Sequence, residues 1–290
     1  MTEARMESTA LPPVRRISVR PRPRWVAVTF RALWIAVVCA VIAFIALPTV
    51  MVYPLALTAK DVLVFPPQGL SFIHMKDVIM DPLWRQSYAT SFQVALMAAC
   101  ISAVLGTAIA VVIPRRGALR LAIEIAVALP LVIPPVVLAV AWFQPFAKIN
   151  VIYSPWGVAI AHAFMGLPFV YLNVAGALGS LDPQLGLAAR SLGARPATVF
   201  SRITLPLVIP GVIAGMVLTF VLSLDELILA VFLGGGAVAT LPVTMWSQIK
   251  YVMSPDIAAV AAIATTVTIL AVVGALVTQV MLARRRSRKA

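Results

Sequence analysis

The sequence predicts an all-α, polytopic membrane protein with six transmembrane helices and both termini in the cytoplasm. Three observations carry that prediction. Of 290 residues, 62% are apolar and 11% charged, and mean hydropathy is +1.01; a soluble chain has about half and about a quarter respectively. Six apolar stretches lie near 32–56, 87–113, 121–143, 156–178, 207–233 and 257–282, each long enough for the roughly 20 residues that cross a bilayer core. They are continuous runs, not the alternating segments of a barrel, and lipid requires each backbone group to be paired within its own segment. Finally, Lys and Arg fall on alternate sides of these stretches in a ratio of eighteen to five. The composition excludes a soluble enzyme, a disordered tail and a collagen-like fibre.

The first stretch follows a basic tail, residues 1–31, carrying Arg5, Arg15, Arg16, Arg20, Arg22, Arg24 and Arg31. Its apolar run is too long for the core of a signal peptide, so an uncleaved span is expected. An extracytoplasmic segment over 57–86 completes the N-terminal region, 32–86, with His74 expected at the surface. Arg115, Arg116 and Arg120 separate the second and third stretches, Arg190, Arg195 and Arg202 the fourth and fifth, and a basic tail at 281–290 follows the sixth. The cationic side faces the cytoplasm by the positive-inside rule. The net charge of +13 is thereby explained by anionic headgroups, with no nucleic-acid partner. Cys39 and Cys100 sit inside apolar runs and are expected to be small core residues rather than a disulfide or metal pair.

Prolines and small residues mark where the spans depart from regularity. Pro130, Pro134 and Pro135 should kink the third span, either lining a cavity or shaping packing. Gly211 and Gly215 form a small-xxx-small face on the fifth. Glu124 lies four residues after Arg120, as an ion pair on one helix face would. His162 and Asn173, in the fourth span, are expected to make structural hydrogen bonds away from lipid.

The 180–206 connection is more than a bare loop. Asp182 can cap a helix starting at Pro183, Gly193 suits its end, Pro196 begins a second short helix, and Pro206 marks entry to the fifth span. Ala188 and Ala189 leave a surface that another protein can approach closely. The segment resembles the cytoplasmic loop of ABC-importer permeases, E-A-A-x-x-x-G followed after about nine residues by I-x-L-P. Ala188, Ala189, Gly193, Ile203, Leu205 and Pro206 stand at matching positions, and Leu187 replaces the Glu. The resemblance covers about 87–280 and implies the type I importer transmembrane fold. It also implies a multi-pass inner-membrane location and docking of cytoplasmic ATPase subunits at 183–204. Further implied partners are a second, homologous permease and an extracytoplasmic solute-binding protein. The departure at Leu187 puts one polar contact of the dock in question.

No nucleotide-binding G-x-x-x-x-G-K-[ST] loop, zinc-protease motif or nucleophile elbow occurs. No catalysis and no cofactor are therefore expected on this chain, with ATP and magnesium held by the partner ATPase. Three further segments, Ser223-Leu-Asp-Glu, Leu241-Pro-Val-Thr-Met-Trp-Ser and Ser254-Pro-Asp-Ile, look most like the second permease of spermidine/putrescine importers. Asp225 and Glu226 are adjacent acids inside an apolar run and so are candidates for the solute path. On a continuous fifth helix they would lie about 100° apart, one lining the path and the other pairing with a neighbouring span. The same core also serves permeases for amino-acid-like compounds, ferric iron or sulfate. An ion-coupled secondary transporter is the other class, although no internal repeat of the kind such carriers show is evident.

Overall fold

The structure, a computed structural model, describes residues 24–113, 117–251 and 254–287. The basic tail up to residue 23, Arg115, Arg116, Arg288 and Lys289 lie outside the described residues. The chain divides into two compact units, residues 1–49 and 50–290. In the first unit, helix α1 (Arg24–Ala56) begins, its apolar side chains from Phe30 onward exposed. The rest of α1 belongs to the second unit, to which the following description applies.

Among the described residues five apolar helices are long enough to cross a membrane, or six spans when a bent pair is counted as one. After α1 come the short α2 (Ile73–Met80) and the long α3 (Pro82–Val112), whose N-cap Asp81 accepts a hydrogen bond from Leu83 N at 2.8 Å. The third span is two helices, α4 (Ala118–Val132) and α5 (Pro135–Lys148), set at 106° to each other. Pro134 forces the residue before it out of helical geometry, and Ile133 is accordingly extended at ψ 127°. The prolines therefore turn the chain rather than merely kink it. α6 (Pro155–Gly179) follows, capped by Ser154.

The loop helix α7 (Pro183–Ser191) forms as expected, but the second short helix does not stand alone. α8 (Pro196–Val199) runs through a π-type turn, Phe200–Thr204, into α9 (Leu205–Asp225), giving one apolar run of 30 residues. This span thus begins eleven residues before Leu207. It also ends at Asp225 rather than continuing to residue 233, because Glu226 is extended and α10 (Ile228–Gly234) starts a new helix. α11 (Leu241–Ile249) and α12 (Pro255–Ser287) complete the fold.

α3, α6 and α9 pack on one another at the centre. Close approach rests on missing side chains. A Cβ on Gly215 would lie 2.4 Å from Val170 Cα, and one on Gly211 would lie 2.7 Å from the Asn173 carbonyl oxygen. The small-residue face predicted on the fifth span is therefore the seam with α6. Asn173 donates to Phe169 O at 2.8 Å, a hydrogen bond within its own helix. Arg120 pairs with Glu124 at 2.8 Å, and the buried Tyr171 hydroxyl donates to the same carboxylate at 3.1 Å, tying α4 to α6.

Two expectations are corrected. His74 is buried, with Nδ1 2.7 Å from Asp256 and Nε2 3.2 Å from the Lys60 carbonyl oxygen. Position in a polar connection gave it the look of a surface residue; the packing of α2 on α12 encloses it. Cys39 and Cys100 are both exposed, not core. An apolar run in a membrane helix does not distinguish the lipid-facing side from the packed one.

Candidate functional site: a capped loop helix and an acid-bearing break

Asp182 accepts from Gln184 N at 2.8 Å, and Pro183 occupies the first helical position of α7, where its missing N–H costs nothing. At the other end Gly193 N donates to Arg190 O at 2.9 Å and Ala194 N to Ala189 O at 3.0 Å. Those two bonds, with Gly193 at φ +84°, make a Schellman closure. The A-A-x-x-x-G spacing thus has a local cause. Ala189 supplies the carbonyl that accepts the last N–H, and Gly193, four residues on, supplies the left-handed turn. Leu187 and Ala188 are exposed. Leu185 is exposed too, at the edge of a small cleft that Ile203 and Leu178 also line. Leu205 packs against the cluster around Val208 and Val174, and Pro206 lies in the first turn of α9. The motif residues therefore divide between an outward helix, α7, and the root of the central span.

The far end of that span carries the acids. The helix break separates them, so the geometry of two neighbours on one helix does not apply. Asp225, the last residue of α9, is exposed and lines a cleft of about 690 Å³ with Tyr88, Ser91 and Phe92 of α3 and Thr265 and Thr268 of α12. Glu226 is half-buried, and its carboxylate accepts from Leu229 N at 3.0 Å. It therefore caps α10 instead of pairing with another span. A carboxylate at a helix N-terminus meets both freed N–H groups and the positive end of the helix dipole. Irregular backbone within an apolar span is tolerated where its polar groups are paired in this way.

The remaining motif residues pin helices together. Ser223 Oγ lies 2.7 Å from His162 Nδ1, joining α9 to α6 just before the break. His162 makes the structural hydrogen bond expected of it, although its Nε2 is buried without a partner among the described residues. Thr244 Oγ1 lies 2.7 Å from Ser87 Oγ, and Ser91 Oγ accepts from Leu241 N at 2.7 Å, fixing the start of α11 on α3. Asp256 holds His74. The three segments singled out by their resemblance each contribute such a tie, the one starting at Leu241 two of them. The α3 wall of the cleft was missed in the sequence, although Tyr88, Ser91 and Phe92 follow the i, i+3, i+4 spacing that marks one helix face.

Residues 102–288 match the family described as binding-protein-dependent transport system inner membrane component. Among curated relatives, the Haemophilus influenzae spermidine/putrescine transport system permease protein PotC is 30% identical over 48% of this chain and 54% of its own length. The Escherichia coli K12 putrescine transport system permease protein PotI is 29% identical over 64% of this chain and 69% of its own. The Mycobacterium bovis molybdenum transport system permease protein ModB is 31% identical over 69% of this chain and 79% of its own. The chain spans about half the length of the PotC relatives it matches. A bacterial ABC transporter involved in alginate import shares the fold at TM-score 0.66 and 14% identity, over 90% of this chain and 99% of that one. An alginate transporter solved with an alginate-bound periplasmic protein gives TM-score 0.63 at 16% identity, over 85% and 92%. The chain belongs to the family of binding-protein-dependent transport system inner membrane components and is a multi-pass membrane protein.

Proposed function

We propose that this permease forms part of the translocation path of an ATP-driven importer for a polyamine such as putrescine or spermidine. The observation that carries the solute assignment is the exposed Asp225 carboxylate in an otherwise largely apolar cleft of about 690 Å³. A polyamine is a chain of methylenes between ammonium groups. Its cations are attracted to a single fixed carboxylate, and its methylenes and ammonium groups suit the Tyr88 and Phe92 rings. Similarity to the PotC and PotI permeases supports the same reading.

The remaining parts follow from the family. α7 and the π-linked root of α9 serve as the dock for cytoplasmic ATPase subunits, which hold ATP and magnesium. Leu187, Ala188, Ala189 and Gly193 lie on or at the end of the docking helix. Ile203, Leu205 and Pro206 pass its movement to α9, whose other end holds Asp225 and Glu226. A second permease and an extracytoplasmic binding protein complete the assembly, with both termini of this chain in the cytoplasm. The match to the Mycobacterium bovis molybdenum permease favours one other reading, a solute of that system. A ligand screen by thermal shift on the partner binding protein separates the two. Stabilisation by putrescine or spermidine supports the polyamine reading; stabilisation by molybdenum species alone would overturn it.

A further inference from the structure

His74 is the polar side chain that α2 turns inward; Lys76 and Asp77 of the same helix are exposed. Its ring lies between two acceptors. Nδ1 is 2.7 Å from Asp256 Oδ1 in the first turn of α12, and Nε2 is 3.2 Å from the Lys60 carbonyl oxygen in the segment leading to α2. A carbonyl oxygen and an ionised carboxylate can only accept, whereas a neutral imidazole carries one N–H and one lone pair. With neutral His74 and ionised Asp256, one of the two contacts sets lone pair against lone pair. In a buried site that unmade hydrogen bond is costly. One more proton makes both contacts good.

Two features put that proton on the ring. A carboxylate in the first turn of a helix meets the positive end of its dipole, and the Ser254 hydroxyl faces the second oxygen of Asp256 at 3.5 Å. Asp256 is the charged side chain within ion-pair distance of His74 among the described residues. The other charged groups on the elements around the ring are exposed: Lys60 and Asp61 before α2, Lys76 and Asp77 on it, and Asp81 and Arg85 at the start of α3. Solvent and salt screen them. The two nearby phenols are engaged elsewhere, Tyr88 donating to the Val260 carbonyl oxygen at 3.0 Å and Tyr53 lying 3.0 Å from Thr266 Oγ1.

We infer that His74 and Asp256 form a proton-dependent clamp between α2 and α12, closed while the imidazolium donates to both acceptors and loosened when the ring gives up its second proton. The clamp does not depend on which solute is carried. It fixes the first turn of the helix that brings Thr265 and Thr268 to the cleft beside Asp225. A folded contact that holds a proton more tightly than the unfolded chain does is strongest in acid. It weakens as pH rises through the range in which histidines titrate, roughly pH 5–8.

The test compares the full-length wild-type chain with Asp256→Asn and His74→Gln, each in detergent. Asn offers Nδ1 an amide donor while Nε2–H still donates to the Lys60 carbonyl, so a neutral ring satisfies both contacts and the extra proton is not needed. The wild-type thermal midpoint should fall by a few degrees between about pH 6 and about pH 8.5, and Asp256→Asn should hold its midpoint across that range. His74→Gln has no titrating ring and should be equally flat, which decides the matter even where Asp256→Asn fails to fold. The sequence has two histidines, and His162, bonded to Ser223, is the same in all three proteins. Differences between their pH profiles therefore report His74. In wild type carrying nitrogen-labelled histidine, the resonances lost in His74→Gln should show both ring nitrogens protonated at about pH 6. A wild-type midpoint indifferent to pH, the wild-type slope retained in either variant, or a neutral His74 ring at that pH would overturn the clamp.

Discussion

Gly215→Ala tests the central seam on which both halves of the site depend. A Cβ there would lie 2.4 Å from Val170 Cα and 2.9 Å from Val170 N, backbone atoms that cannot rotate away. Ordinary contact begins at 3.4 Å, so α9 and α6 must separate locally by about 1 Å. One turn further along, Thr219 Oγ1 donates to Gly166 O at 3.0 Å. The same separation stretches that bond to about 4 Å, beyond hydrogen-bonding range. Overpacking of this kind costs about 1–3 kcal/mol. Gly176→Ala on α6 is the matched control, since a Cβ there meets nothing within 4 Å. Both substitutions gain the same intrinsic helix preference for Ala, so their difference isolates the packing. Thermal unfolding of the purified chain in detergent, read by tryptophan fluorescence, should place Gly215→Ala several degrees below Gly176→Ala. Equal midpoints would refute the claim that the glycine seam sets the distance between the two spans.

Three further outcomes are expected. Gly193→Val should insert into the membrane normally yet lose most transport. No atom lies within 4 Å of its Cβ, so the cost is a backbone one of about 1–2 kcal/mol at φ +84°; transport at the wild-type rate would disprove a rigid α7. Asp225→Asn should reduce polyamine uptake with little change in thermal stability. Glu226→Gln should lower stability by about 1 kcal/mol through the weakened α10 cap; the reverse pattern would exchange the two roles. Asp256→Ala leaves the buried His74 ring without its 2.7 Å partner and should cost about 1–3 kcal/mol. An unchanged unfolding midpoint would show that α2 is not held to α12 by this contact.

The spans and the capped loop were legible because they rest on local chemistry. Hydropathy runs mark α3, α6 and α12, and Asp182, Pro183 and Gly193 mark the ends of α7 by their backbone preferences alone. What was not legible depends on distant partners. Nothing near His74 reveals that α12 brings Asp256 to it, 182 residues away in the chain. The break after Asp225 carries no proline or glycine to announce it; it is supported by Glu226 reaching forward to Leu229 N, an arrangement visible only once the helix has ended. The fusion of α8 with α9 was hidden by Pro196 and Pro206, which sequence rules read as boundaries. The π-type turn at Phe200–Thr204 lets the chain pass between them as one span.

The importer reading is tested most directly by uptake into proteoliposomes. They would contain this permease with its partner permease and ATPase, with the binding protein outside and labelled spermidine or putrescine as solute. Uptake should require ATP inside the vesicles, persist when ionophores collapse ion gradients, and fall sharply in Asp225→Asn. Polyamine uptake driven by an ion gradient without ATP would contradict it.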